Sequence, residues 1–225
     1  MKINKRLKTI GDLVEANSFC LDVGCDHAFL DIYLVKQKKN IKPIASDILE
    51  GPLQQAKNNI KREHLEDVIE TRLGDGLDTY SEEVDTVIIS GMGGRNMIGI
   101  FNKNIDVLKK IKTIIISPNN YQVDVKKYLC HRGFYIDDEV FVKDGKFIYQ
   151  VIKLKRGHEK YNKKEYFFGP VFLTKKDNLF REYYTREVVS RRILIKMLPN
   201  NYRLKKFFLK REIKMLEKEL DIIKK

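Results

Sequence analysis

Asp22-Val23-Gly24-Cys25-Asp26-His27 closes an apolar run that begins at Cys20, and the same layout returns three times downstream. Ser46-Asp47-Ile48, Gly74-Asp75-Gly76 and Ser90-Gly91-Met92-Gly93-Gly94 each end an apolar run as well. Ligands of doubly wound sheets sit at the carboxyl ends of parallel strands, so four such ends in succession describe a nucleotide-cofactor cleft. Each acidic side chain there needs its own polar partner. A ligand with an amino acid part, a ribose and a base supplies them, and S-adenosylmethionine fits that description.

The intervening sequence alternates between strand and helix patterns. Strands are expected at 20–23, 43–46, 69–73, 85–90 and 113–117, and helices at 3–16, 31–37, 52–62, after Gly94 and at 126–131. Gly51-Pro52 opens the third helix with proline in its first turn, where the missing N–H is not needed. Thr86-Val87-Ile88-Ile89 and Ile114-Ile115-Ile116 are continuous apolar runs, as strands buried on both faces of a parallel sheet should be. The sheet ends differently. Glu139-Val140-Phe141-Val142 and Phe147-Ile148-Tyr149-Gln150-Val151-Ile152 flank Lys143-Asp144-Gly145-Lys146, and Asp-Gly between apolar runs marks a β-hairpin. Five parallel strands and a hairpin give an α/β fold with the Rossmann-like class I methyltransferase sheet, seven strands with one antiparallel.

The net charge of +13 is segregated. Residues 1–154 hold 23 Lys/Arg against 22 Asp/Glu, whereas residues 155–225 hold 21 against 9. The length suits one catalytic domain, 1–154, with a basic helical extension, 155–225. A field confined to a third of the chain is the footprint of a polyanion binder; a general lysine bias explains the number of charges but not their segregation. A linker is expected over 155–164 and a turn at Gly169-Pro170. Two helices follow, at 179–198 and 202–224, joined at Pro199-Asn200-Asn201 as antiparallel neighbours. Leu209, Ile213, Leu216, Leu220 and Ile223 form a coiled-coil seam on the second. Leu179, Tyr183, Ile193 and Met197 share a face of the first. This hairpin reads as an RNA-binding arm or as a dimerisation arm. As an RNA-binding arm it offers Arg181, Arg186, Arg191, Arg192, Arg203, Lys206 and Lys210 to phosphates, with Lys5 and Arg6 adding to the grip. Tyr183 and Tyr184 stack on bases or pack in the core.

Cys20, Cys25 and Cys130 form no CxxC pair and the four histidines are scattered, so reduced thiols, no metal and a cytoplasmic location are expected. The basic start runs into an amphipathic stretch broken by Asp12 and Glu15, which is not a signal h-region. Apolar runs are strand-length, so neither a membrane span nor a membrane partner is expected. Nothing in the pattern points to an obligate protein partner.

Gly24 lets the backbone approach a ligand at the turn out of the first strand. A dinucleotide fingerprint wants two further glycines, but Asp26 and Ala28 stand two and four residues on. A pyrophosphate would be repelled by Asp22, Asp26 and Asp31, whereas an ammonium group would not. The alternative is that these acids only cap the following helix. Asp47, with Ile48 beside it, is placed for ribose hydroxyls. Asp75 accepts from the exocyclic amine of adenine while Gly74 and Gly76 let the loop lie flat. Gly91 and Met92 floor the meeting place of cofactor and target, with Met92 on the adenine or in the core.

Taken together, Asp22-x-Gly24-x-Asp26-His27-Ala28, Gly51-Pro52-Leu53, Arg72-Leu73-Gly74-Asp75-Gly76-Leu77, Gly91-Met92-Gly93-Gly94, Pro118-Asn119 and Phe168-Gly169-Pro170 resemble the bacterial tRNA (adenine-22-N1)-methyltransferase family. The resemblance covers essentially the whole chain. It implies S-adenosylmethionine as donor, S-adenosylhomocysteine as product and tRNA as acceptor. Asp31 stands where the family often has Pro, and Ser117 where Gln commonly precedes Pro-Asn. On the implied reaction, adenine N1 carries an in-plane lone pair, so no base need remove a proton and placement is most of the task. Positive charge passing onto the purine calls for an acceptor near N6. Asp26 and Asn119 are the catalytic candidates, with His27 orienting one of them or lining the pocket. A methyltransferase for ribosomal RNA or a small molecule, and a non-catalytic RNA-binding module, are the alternatives.

Overall fold

The computed structural model describes residues 3–37 and 40–221. Helix α1 (Lys5–Leu13) precedes β1 (Phe19–Val23), α2 (Phe29–Lys36), β2 (Lys42–Asp47), α3 (Glu50–Arg62) and β3 (Glu70–Leu73). A single turn at Gly76–Thr79 leads to β4 (Thr86–Ser90), α4 (Gly94–Lys103), α5 (Ile105–Lys110), β5 (Thr113–Ser117) and α6 (Gln122–Cys130). Then come β6 (Phe134–Asp144), β7 (Phe147–Arg156), α7 (Lys163–Phe168), α8 (Pro170–Lys175), α9 (Asn178–Met197) and α10 (Arg203–Asp221). The strands form one sheet in the order β3-β2-β1-β4-β5-β7-β6, in which β7 alone runs antiparallel to its neighbours.

Period-two alternation sorts each central strand between two helical layers. Val87, Ile89, Ile114 and Ile116 pack with Met97 and Phe101 of α4 and Val125 and Leu129 of α6. Ile88 and Ile115 turn the other way, towards Ile10 of α1 and Leu30 and Leu34 of α2. Helix α3 covers the β2 end, where Leu53, Ala56 and Ile60 meet Ala45. The pairing is in register at the carboxyl end: Val23 lies opposite Ser46 and Ile89, Asp47 opposite Leu73, and Ser90 opposite Ser117. The loops after these strands therefore open on one edge.

The closing hairpin is longer than its apolar runs suggest. Strand β6 begins at Phe134 and passes a register shift between Ile136 and Asp138, which breaks the alternation a sequence reader relies on. Strand β7 continues into the expected linker as far as Arg156, whose guanidinium donates to the carbonyls of Ile111 and Arg132 and lies 3.9 Å from the Phe134 ring centroid. Beyond it, the Tyr161 hydroxyl accepts from the Ile136 amide at 2.9 Å, and Asn162 with Glu165 forms a capping box at the start of α7. Two compact units result, 1–171 and 172–225. Residues 155–171 thus belong with the sheet rather than with the helical extension.

Phe168-Gly169-Pro170 sits at the end of the first unit. Gly169 has φ +97°, and a Cβ there would collide with the Glu139 carboxylate. That carboxylate is wholly buried, 3.3 Å from the equally buried Lys126 ammonium and 3.1 Å from the Val171 amide. Pro170 opens α8, where its missing N–H costs nothing.

In the second unit, α9 and α10 form the expected hairpin. Ile213 and Leu216 are buried and Leu209 and Leu220 half-buried, as the seam requires; Ile223 lies outside the described residues. The face of α9 is not the expected one. Phe180, Tyr184 and Val188 are buried, whereas Ile193 is 52% and Met197 76% exposed. The two aromatic rings, 4.7 Å apart, bury more area than Leu179 and Tyr183 and set the rotation of the helix. Among the described residues no helix is long and apolar enough to cross a membrane.

Candidate active site

The loop after β1 has the geometry of a glycine-rich turn without its glycines. Gly24, Asp26 and Ala28 all have left-handed backbones, with φ of +75°, +54° and +55°. Asp tolerates this region, but Ala there is held against a steric cost, and non-Gly residues with such backbones cluster at functional sites. The restraint is visible: the amides of Gly24 and Cys25 both donate to the Ser46 carbonyl at 2.9 Å, and the Ala28 amide donates to that of Cys25 at 3.0 Å.

This loop lines a cavity of about 420 Å³, which Asp22, Asp26 and His27 share with Ser90, Gly91 and Arg6. Arg6, from α1, stacks 4.7 Å above the Tyr149 ring and passes close to Gly91. Asp22 is almost wholly buried at the end of β1. Burial, and the neighbouring acids Asp31 and Asp47, push its carboxyl well above the usual carboxylate range. Burial raises the Cys20 and Cys25 thiols too, so neither is a nucleophilic thiolate.

Asp47 stands at the end of β2 with its carboxylate between two loops. Oδ1 accepts from the Leu49 amide at 2.9 Å and Oδ2 from the Asp26 amide at 3.4 Å. Ile48 beside it is 60% exposed. Asp75, after β3, is exposed and paired with Lys103 at 2.9 Å; Lys103 also holds Asp78 at 2.8 Å. Gly76, at φ +60°, is packed so closely that a Cβ would come within 2.8 Å of Ile100 Cγ2. Met92 packs against the core and brings its methyl within 3.6 Å of where a Gly24 Cβ would be, so it belongs to the core and to the cleft floor at once.

Asn119 joins the loops after β4 and β5. Its amide nitrogen donates to the Gly91 carbonyl at 2.7 Å and its backbone N–H to the Met92 carbonyl at 3.0 Å, which leaves the side-chain oxygen as an acceptor at the exposed edge. Asn120 accepts from the Gly94 amide at the start of α4. His27 keeps Nε2 3.5 Å from Asp26, while its buried Nδ1 has no partner among the described residues. Asp22, Gly24, Asp26, His27 and Gly91 therefore share one cavity, Asp47 is tied to it through Asp26, and Asp75 sits one strand further along the edge.

The basic candidates divide. Lys5 is exposed, whereas Arg6 lines the cavity. Arg191 is held between Glu187 at 2.5 Å and Glu212 at 2.8 Å, a tie from α9 to α10. Arg186 pairs with Glu182 and Arg192 with Glu217, while Arg181, Arg203 and Lys210 are exposed and Lys206 is half-buried. Arg6 and Lys103 were not legible as parts of the cleft, since each comes from an element distant in sequence. Among the described residues no group of His, Cys, Asp and Glu is arranged to hold a metal.

The residues fit a nucleoside with an amino acid tail. A buried acid and a guanidinium line one cavity, acids follow at the next two strand ends, and the unpartnered His27 Nδ1 offers a further polar contact. A sequence model of the family described as tRNA (adenine(22)-N(1))-methyltransferase matches residues 20–218. The tRNA (adenine(22)-N(1))-methyltransferase of Bacillus subtilis (strain 168) is 31% identical over 158 residues, spanning 70% of this chain and 66% of that protein. Among solved structures, a protein of the NADB-Rossmann superfamily from Streptococcus agalactiae superposes with a TM-score of 0.91 at 31% identity over 98% of both chains. A candidate tRNA methyltransferase from Streptococcus pneumoniae, in complex with S-adenosyl-L-methionine, superposes with a TM-score of 0.89 at 28% identity, covering 97% of this chain and 100% of that one.

Proposed function

This chain belongs to the tRNA (adenine(22)-N(1))-methyltransferase family, and from that premise we propose how its residues divide the work of moving a methyl group from S-adenosylmethionine to N1 of adenine 22 in tRNA. The observation that carries the reading is the row of Asp22, Asp47 and Asp75 at the ends of three adjacent strands.

Asp22 takes the ammonium of the donor, because it is the buried acid of the cavity. Arg6, the guanidinium of the same cavity, takes the donor's carboxylate rather than an RNA phosphate. Asp47 keeps free lone pairs for the ribose hydroxyls, with Ile48 covering that sugar and base. Asp75 accepts from the adenine amine once it leaves Lys103.

When bound, the donor supplies an electrophilic methyl on a sulfonium. What the protein adds is placement and a response to charge that moves onto the purine. The side-chain oxygen of Asn119, fixed outward by the bond to Gly91, accepts from the target's N6 amine as positive charge arrives. Asp26, exposed in the loop after β1, offers a second carboxylate, and His27 beside it holds that side chain in place. No general base is needed, since the attacking lone pair is already free.

Residues 172–225 carry 16 Lys/Arg against 7 Asp/Glu. We assign Arg181, Arg186, Arg192, Arg203, Lys206 and Lys210, with Lys5, to tRNA phosphates, and Arg191 to holding the hairpin together. Unstacking the target base costs on the order of a few kcal/mol, which phosphate contacts made elsewhere offset. The reaction belongs in the cytoplasm with its tRNA substrate. Nucleoside mass spectrometry of tRNA treated with protein and donor tests this: 1-methyladenosine at position 22 is expected, and methylation of another base or of metabolites alone would refute it.

A further inference from the structure

Asp31 lies in the first turn of α2, wholly buried behind the cavity. Apart from its own backbone amide, neither carboxyl oxygen meets a donor among the described residues. The side chain within hydrogen-bonding reach is another acid, Asp22. Asp22 faces the cavity and Asp31 does not. Two buried carboxylates in contact cannot both ionise without a large desolvation and repulsion cost, and a single proton between them satisfies both.

Among the described residues, no cation acts on the pair strongly enough to supply that positive charge. Cys20 on β1 and Cys25 in the following loop feel both acids and are pushed towards the neutral thiol. Asp47 on β2 adds repulsion at Asp22. Arg6 of α1, Asp26 and His27 line the cavity in front. Burial raises Asp31 to about 7 and Asp22 well above its ordinary value, so the pair holds a proton at neutral pH.

We propose that Asp22 and Asp31 share one proton in the donor-free protein and that the donor's ammonium group displaces it to solvent, which makes Asp31 a positioning residue that sets the charge of Asp22. The inference rests on the reading that Asp22 meets the donor's amine. The charges balance: a pair with one proton and a fully ionised pair facing one ammonium both carry a single net negative charge. The interior is never asked to hold two uncompensated carboxylates. Donor affinity then falls as pH is lowered through the titration of the pair, by up to about tenfold per pH unit.

Titration calorimetry with S-adenosylhomocysteine in phosphate and in Tris, near about pH 7.5, counts the protons released. The native protein should release close to one per ligand. Asp31→Asn keeps the shape and donates an amide to Asp22, which then stays ionised; proton release should largely vanish and affinity become flat with pH. Methylthioadenosine, the same thionucleoside without the amino acid part and so without its ammonium, should bind the native protein without releasing a proton. Equal release with both ligands, no release at all, or native-like release from Asp31→Asn would overturn the proposal. Asp22→Asn separates this from the underlying reading. It should weaken S-adenosylhomocysteine and spare methylthioadenosine, and unchanged affinity for both would remove Asp22 from the amine site altogether.

Discussion

The backbone amide of Asp26 donates to Oδ2 of Asp47 across 3.4 Å, and this bond ties the loop after β1 to the loop after β2. The same carboxylate caps the Leu49 amide, so one side chain sets the separation of the two loops we assign to the donor's amine and ribose. Asp47→Ala should therefore weaken S-adenosylhomocysteine by more than the missing ribose bonds alone, about a hundredfold, with two ligand bonds and a loop restraint removed at about 1 kcal/mol each. Calorimetry checks this, and native affinity in the variant would contradict it.

Lys103 holds Asp75, the carboxylate we assign to the donor's adenine amine. The ion pair is exposed and worth little to the fold, since exposed pairs contribute a few tenths of a kcal/mol to about 1 kcal/mol. Removing the lysine should thus free the carboxylate at small cost. Lys103→Met is expected to leave donor affinity unchanged or tighten it by up to about fivefold. Asp75→Ala should weaken it. A Lys103→Met variant that binds worse than Asp75→Ala would place the lysine, not the acid, in the site.

Arginines of the hairpin should separate into two kinds. Arg203 and Lys210 are exposed, and their joint replacement by Ala should lower the slope of tRNA affinity against salt by about 0.7–0.9 for each phosphate that is no longer neutralised. Arg191, tied to Glu187 and Glu212, should act on stability instead. Arg191→Ala is expected to destabilise the hairpin by about 1 kcal/mol while each folded molecule keeps the native salt slope. A changed slope in Arg191→Ala, at full helicity by circular dichroism, would put that residue on the RNA.

The buried acids carry a pH signature in the donor-free protein. Asp31 is raised to about 7, above its value in the unfolded chain, so the folded state binds the extra proton. Stability from that proton is complete below the unfolded value and is lost as pH rises through the folded one. The native melting temperature, relative to that of Asp31→Asn, should therefore fall between about pH 4 and pH 7 and level off above. Scanning calorimetry of the two proteins measures the difference, and a difference constant with pH would contradict the raised carboxyl.

The sheet and its ligand edge were legible because buried parallel strands are continuous apolar runs, and each run stops at an Asp or Gly that cannot continue it. Thr86–Ser90, which runs into Gly91, shows this directly, whereas Thr113–Ser117 stops at Pro118. What the pattern hid is long-range. Arg156 extends β7 only because carbonyls from Ile111 and Arg132 converge on it. Phe180 and Tyr184 turn α9 away from the face that Ile193 and Met197 suggested. At the site, the absence of two glycines gave no hint that Asp26 and Ala28 would keep the left-handed backbone. Asp31, without a role in the linear pattern, gains one because α2 folds back onto β1 and sets it against Asp22.

The most direct measurement is a crystal structure of this protein with S-adenosylhomocysteine. The ammonium should lie within hydrogen-bonding distance of Asp22, the ribose hydroxyls on Asp47, and the adenine amine on an Asp75 released from Lys103. A ligand bound elsewhere, or bound in the cleft with these three carboxylates turned away from it, would contradict the account.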